Sequence, residues 1–177
     1  MILASLFSAL ILLSGKPGPT PKEKNMSIEE IHYLPFGINK ETPLDQIEIT
    51  LNFYGAKTGA GRQEISLRGD GSITLYFTLS MQDNAPKIIK SKCDPEMVLR
   101  LLDFMEGLGL FSLPEEQPSH GHQHARRLLS VKLPDRTKNI ALDEAGFEPV
   151  EQIIGAIMLT AGQCVPEALN NRFFPNL

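Results

Sequence analysis

The chain has no tryptophan, only three tyrosines and two cysteines, and no surplus of positive charge. Each shortage removes something. Few aromatic rings leave little for base stacking. The 17 Lys and Arg residues are outnumbered by 21 Asp and Glu, giving a net charge of -4. No basic run dominates, so nucleic acid is not an expected partner. Two cysteines permit at most one intramolecular bridge. Long apolar runs are also missing. The uncharged stretch Met1–Leu13 falls short of the roughly 20 residues that a helix needs to cross a bilayer.

What is present is ordinary globular material. A 42% apolar and 21% charged composition supports a core and argues against global disorder. The 177 residues suit one domain with extensions. Residues 1–15 read as a signal-like apolar segment. They lack a positive start and a clean small-x-small cleavage site. Leu12-Leu13-Ser14-Gly15 resembles a bacterial lipoprotein processing box, but Lys16 stands where the lipidated cysteine belongs. The expectation is export to the periplasm, the cell envelope or the medium. The competing reading is a buried N-terminal helix or strand in a cytoplasmic protein. Membrane contact is expected only through this segment, if it stays uncleaved. Residues 16–45 read as a Pro-rich linker and irregular lead-in, because prolines fix φ and remove donors.

A folded domain is expected over 46–165, followed by a C-terminal tail at 166–177. Ile47, Ile49, Leu51 and Phe53 alternate with polar partners, the period of a half-buried strand. Arg62–Arg68 and Ile73–Leu79 repeat the pattern around Gly69-Asp70-Gly71, a tight-turn signal. Lys87–Lys90 is a weaker fourth candidate. Asp94-Pro95-Glu96 opens a helix with a capping carboxylate, a proline suited to the first turn and a favourable charge. Its stripe is Met97, Val98, Leu101, Leu102, Met105 and Leu108. Leu129, Val131 and Leu133, then Ile140 and Leu142, predict a second hairpin. Glu148-Pro149 opens a second helix with Val150, Ile153, Ile154, Ile157, Met158 and Ala161 on one side, stopped at Gly162. The order β-β-β-α-β-β-α predicts an α+β domain: an antiparallel sheet of about five strands with two amphipathic helices on one face.

Chemistry-bearing residues are sparse. Three of the four histidines fall in Ser119–His124. In an extended segment His120, His122 and His124 point to one side and could hold zinc, copper or nickel. The spacing is not that of a structural zinc site, and a solvated His-rich loop explains it equally. No other cofactor is expected. Cys93 precedes the first helix and Cys164 follows the second. If the helices pack antiparallel, these ends meet, and a disulfide would contribute roughly 4 kcal/mol by the chain-entropy model. Two buried thiols are the alternative. Gly55–Gly61 carries Gly, Lys and Thr without the spacing of a phosphate loop. No Gly-x-Ser-x-Gly elbow occurs. Glu115-Glu116 and Asp143-Glu144 read as solvated loop carboxylates.

The layout also resembles small bacterial exported or envelope α+β domains, and in outline the emfourin-type inhibitors of thermolysin-like metallopeptidases. The residues that carry this are Gly69-Asp70-Gly71-Ser72 between strands, the helix exit Leu108-Gly109-Leu110-Phe111-Ser112-Leu113-Pro114, and Pro149 before the last helix. The resemblance spans about Ile47–Ile157. The chain departs from it in a longer His-bearing loop, a Pro-rich N-terminus and a C-terminal tail, and no inhibitory residue carries over. The expected function is an exported or envelope-associated, non-catalytic binding module with a protein partner, in the form of a peptidase inhibitor if the resemblance holds. The alternatives are a metal-binding protein using the His120/His122/His124 loop and an enzyme whose site is assembled from distant residues.

Overall fold

Alternating apolar residues do produce strands wherever the period-two pattern is clean. The computed structural model describes residues 34–54, 61–78, 86–115, 126–142 and 147–166. Within them lie strands β1 (Glu48–Tyr54), β2 (Arg62–Arg68), β3 (Ser72–Phe77) and β4 (Lys87–Lys92), then helix α1 (Pro95–Gly107). Strands β5 (Arg126–Lys132) and β6 (Thr137–Leu142) and helix α2 (Glu148–Cys164) follow. The strands form one antiparallel sheet in the order β4-β3-β2-β1-β5-β6. The fold is therefore α+β, with six strands where about five were expected. The addition is β4, which pairs with β3 from Lys87 to Lys92. Its lysines mask a strand signal but suit an edge, where charge discourages further pairing.

One sheet face is covered. Ile49, Leu51, Ile65, Leu67, Leu129, Val131, Ile140 and Leu142 point into a core shared with both helices. Full burial of each such side chain is worth about 1.5–3 kcal/mol. From α1 the core takes Val98, Leu99, Leu101, Leu102 and Met105. Leu99 enters in place of the expected Met97, which is only half-buried, as is Leu108. The reason is that α1 packs against α2 and the lead-in as well as the sheet, so its apolar face is wider than a single stripe. The helix starts as expected, with the Asp94 carboxylate accepting from the Glu96 N–H at 2.9 Å.

Helix α2 buries Val150, Ile153, Ile154, Ile157 and Ala161. It does not stop at Gly162. That residue is buried within the helix, which runs on to Cys164, and Val165 beyond it is 1% exposed. Burial of Val165 continues the apolar side past the glycine and outweighs its weak helix preference. At the other end Arg127 of β5 makes two hydrogen bonds to the Glu151 carboxylate, the longer at 2.8 Å.

Part of the expected lead-in belongs to the folded body. Short 3-10 turns form at Pro35–Gly37 and Leu44–Gln46, and Ile38 is buried. Phe36 sits in the left-handed region at φ 57°, a costly conformation for a bulky side chain. It is held there from three sides. Its N–H donates to Glu106 Oε2 at 3.0 Å. Its ring meets Phe111 edge-on at 5.1 Å. The Arg136 guanidinium lies 5.5 Å from its ring centre and 4.3 Å from that of Phe111.

Candidate functional site

The second sheet face has no described element packed on it. Register fixes what it presents. One row across the sheet runs Lys90, Thr74, Ser66, Thr50, Ser130, Asn139. At ~4.8 Å per strand that row extends roughly 24 Å. Its four central members are hydroxyls, each able to donate and accept. Only its edge residue, Lys90, carries charge. All four hydroxyl residues are half-buried by their neighbours and none is fully covered. Short side chains lose little rotamer freedom when a partner immobilises them, so a row of this kind suits recognition.

Beside this row lies a more structured patch. Arg62 reaches over the same face, 5.7 Å from the Tyr54 ring centre and 5.6 Å from that of Tyr76. It donates to Asn52 Oδ1 at 3.2 and 3.0 Å and pairs with Glu64. The arginine is thus pre-ordered between two rings, with its charge balanced by Glu64. At the far end of the face Ser66 Oγ donates to Glu48 Oε1 at 3.0 Å, and Glu48 also pairs with Arg68 at 4.0 Å. The face is therefore polar and pre-organised, with Lys90, Lys92 and Lys132 adding positive charge around the row.

The two cysteines meet on the covered side, where the start of α1 lies against the end of α2. They approach to 2.6 Å. The Cys93 N–H donates to the Gly71 carbonyl at 2.9 Å, and its thiol lies 3.3 Å from the same oxygen. Gly71 has φ 85°, and a Cβ there would sit 2.1 Å from the Cys93 carbonyl oxygen. Only glycine lets the β2–β3 turn approach so closely. Ser91 Oγ donates to the Cys164 carbonyl at 3.3 Å, which fixes the other partner. The hydrogen bond from Cys164 is the main cause that lowers the Cys93 thiol below its ordinary value. Burial and the carboxylates of Asp94 and Asp70 oppose it. Cys164 is pushed up by that same hydrogen bond, then by burial and by the charge on Cys93. The pair is thus asymmetric, with Cys93 the more acidic thiol and Cys164 the less acidic one.

The remaining sequence candidates divide plainly. His120, His122, His124, Asp143, Glu144 and Glu116 lie outside the described residues, as do residues 55–60 of the Gly-rich loop. Among the described residues no group of three His, Cys, Asp or Glu side chains converges as a metal site. No described helix is long and apolar enough to cross a membrane. Sequence reasoning missed the hydroxyl row. Its members were visible as the outward residues of four strands, but their alignment required strand order and register.

No family model matches the chain, and no curated protein does.

Proposed function

We propose that the chain is an exported or envelope-associated, non-catalytic binding module whose open sheet face docks a protein partner. The observation that carries this reading is the uncovered row Thr74, Ser66, Thr50 and Ser130, flanked by the Tyr54–Arg62–Tyr76 patch. Most of this face is free of the long flexible side chains that would make binding entropically costly. The described carboxylates on it are already engaged with arginines or a serine, an arrangement that serves complementarity better than proton transfer. Inhibition of a thermolysin-like peptidase is the specific form that the resemblance in layout implies. Export is supported by the apolar, uncharged start of the chain and the Pro-rich stretch behind it.

The test uses a photo-crosslinking residue at Thr50, in the middle of the face, and a second at Asp103, exposed on α1. The full chain is offered to an envelope extract of the source cell. A defined protein crosslinked at Thr50 and not at Asp103, and lost on Ser66→Arg, is the expected result. Equal crosslinking at both positions, or none at Thr50, overturns the docking face. Titration of a thermolysin-type peptidase with the chain separately tests the inhibitor form. Undiminished peptidase activity at micromolar chain removes that form alone.

A further inference from the structure

Among the described residues, the cysteine pair is a cluster of reactive groups that the proposed binding face leaves unused. Both side chains are half-exposed, so a small reagent reaches them. Both are positioned by their own backbones: Cys93 through its N–H to Gly71, Cys164 through its carbonyl to Ser91. The Gly71 turn, the start of α1 and the end of α2 therefore converge on two sulfurs already in contact.

We propose that Cys93 and Cys164 form a reversible redox staple, closed by exchange with a low-molecular-weight disulfide and opened by the corresponding thiol. The thiolate of Cys93 attacks one sulfur of the small disulfide. The S–S bond of that molecule breaks, and one of its halves leaves as a thiol carrying the proton that Cys93 gave up. Cys164 then loses its proton and attacks the Cys93 sulfur of the mixed disulfide, expelling the second half. Two protein thiols and one small disulfide become one protein disulfide and two small thiols. Two electrons pass from the protein to the reagent.

The order of attack follows from the asymmetry of the pair. Thiolate is the nucleophile in exchange. Cys93 is the sulfur whose charge is stabilised by a neighbouring thiol, while Asp70 and Asp94 set a limit to that stabilisation. Once Cys93 is in mixed disulfide it carries no charge. The Cys93 hydrogen bond, the largest cause that holds the proton on Cys164, and the Cys93 charge are then gone, and burial remains. Cys164 is thus suited to act second. Closure ties the last turn of α2 to the β4–α1 junction and leaves the open face untouched.

The test equilibrates the full chain in mixtures of oxidised and reduced glutathione, followed by acid quenching, alkylation and peptide mass mapping. The expected product is an intramolecular link between the peptides holding Cys93 and Cys164, reversed by excess reduced glutathione. Alkylation of the reduced chain should proceed about tenfold faster at Cys93 than at Cys164. Cys164→Ser should accumulate a stable mixed disulfide at Cys93, because the second attack is lost. Circular dichroism confirms that the variant is folded, and mapping of the unmutated chain needs no variant at all. Free thiols at every glutathione ratio, or mixed disulfides alone in the unmutated chain, overturn the staple. Faster alkylation at Cys164 overturns the assigned order of attack.

Discussion

The two faces of the sheet are built from one backbone and differ only in every second residue, yet they have opposite fates. Ile49, Leu51, Ile65 and Leu67 are 0% exposed under the helices. Their chain neighbours Thr50 and Ser66 look out from the uncovered side. On the covered face a side chain's contribution is the area it removes from water, and truncation leaves a void. On the open face a hydroxyl exchanges water for a partner at small net free energy. Stability is concentrated on one side, and the other contributes little to it.

This contrast can be broken by mutation. The largest effect is expected for Leu102→Ala, fully buried in α1, which should lose about 2–5 kcal/mol in urea denaturation. A loss below about 1 kcal/mol would mean that the helix is not seated on the sheet. Gly71→Ala should cost about 1–3 kcal/mol, because its backbone lies at φ 85° and the new Cβ meets the Cys93 carbonyl. The same change should slow closure of the cysteine pair, measured by the glutathione assay, whereas a purely local strain would leave that rate alone. Asp94→Ala removes the cap of α1 and should cost about 1 kcal/mol, read from the thermal midpoint. The smallest effect belongs to the open face. Thr50→Ala or Ser66→Ala should stay within about 0.5 kcal/mol of the unmutated chain while weakening partner crosslinking. A Thr50→Ala cost as large as that of Leu102→Ala would show that this face is covered after all.

Legibility followed the strength of local signals. β1 and β3 could be read from alternation, and α1 from Asp94-Pro95, because both depend on neighbours close in sequence. The approach of Cys93 to Cys164 could be reached only on the condition that the two helix ends meet, and they do. β4 was faint because Lys87, Lys90 and Lys92 obscure Ile89, the residue that faces the core. Leu99 was missed because α1 packs against α2 and the lead-in as well as the sheet, which buries more than a single stripe. Gly162 misled because its local preference for stopping a helix is weaker than the burial of Val165 beyond it. The lead-in was read as irregular, yet Phe36 is held by Phe111 and Arg136, which lie far along the chain, and Ile38 is buried in the core.

By itself the sequence determined the class of the domain and the identity of most core residues. Periodicity, capping and composition act over a few residues and need no knowledge of the fold. Only the tertiary structure decided that four hydroxyls from four strands stand in line and that two distant thiols touch. Strand order and helix placement come from the way apolar surfaces close over one another, and no local pattern records which distant residues that closure brings together.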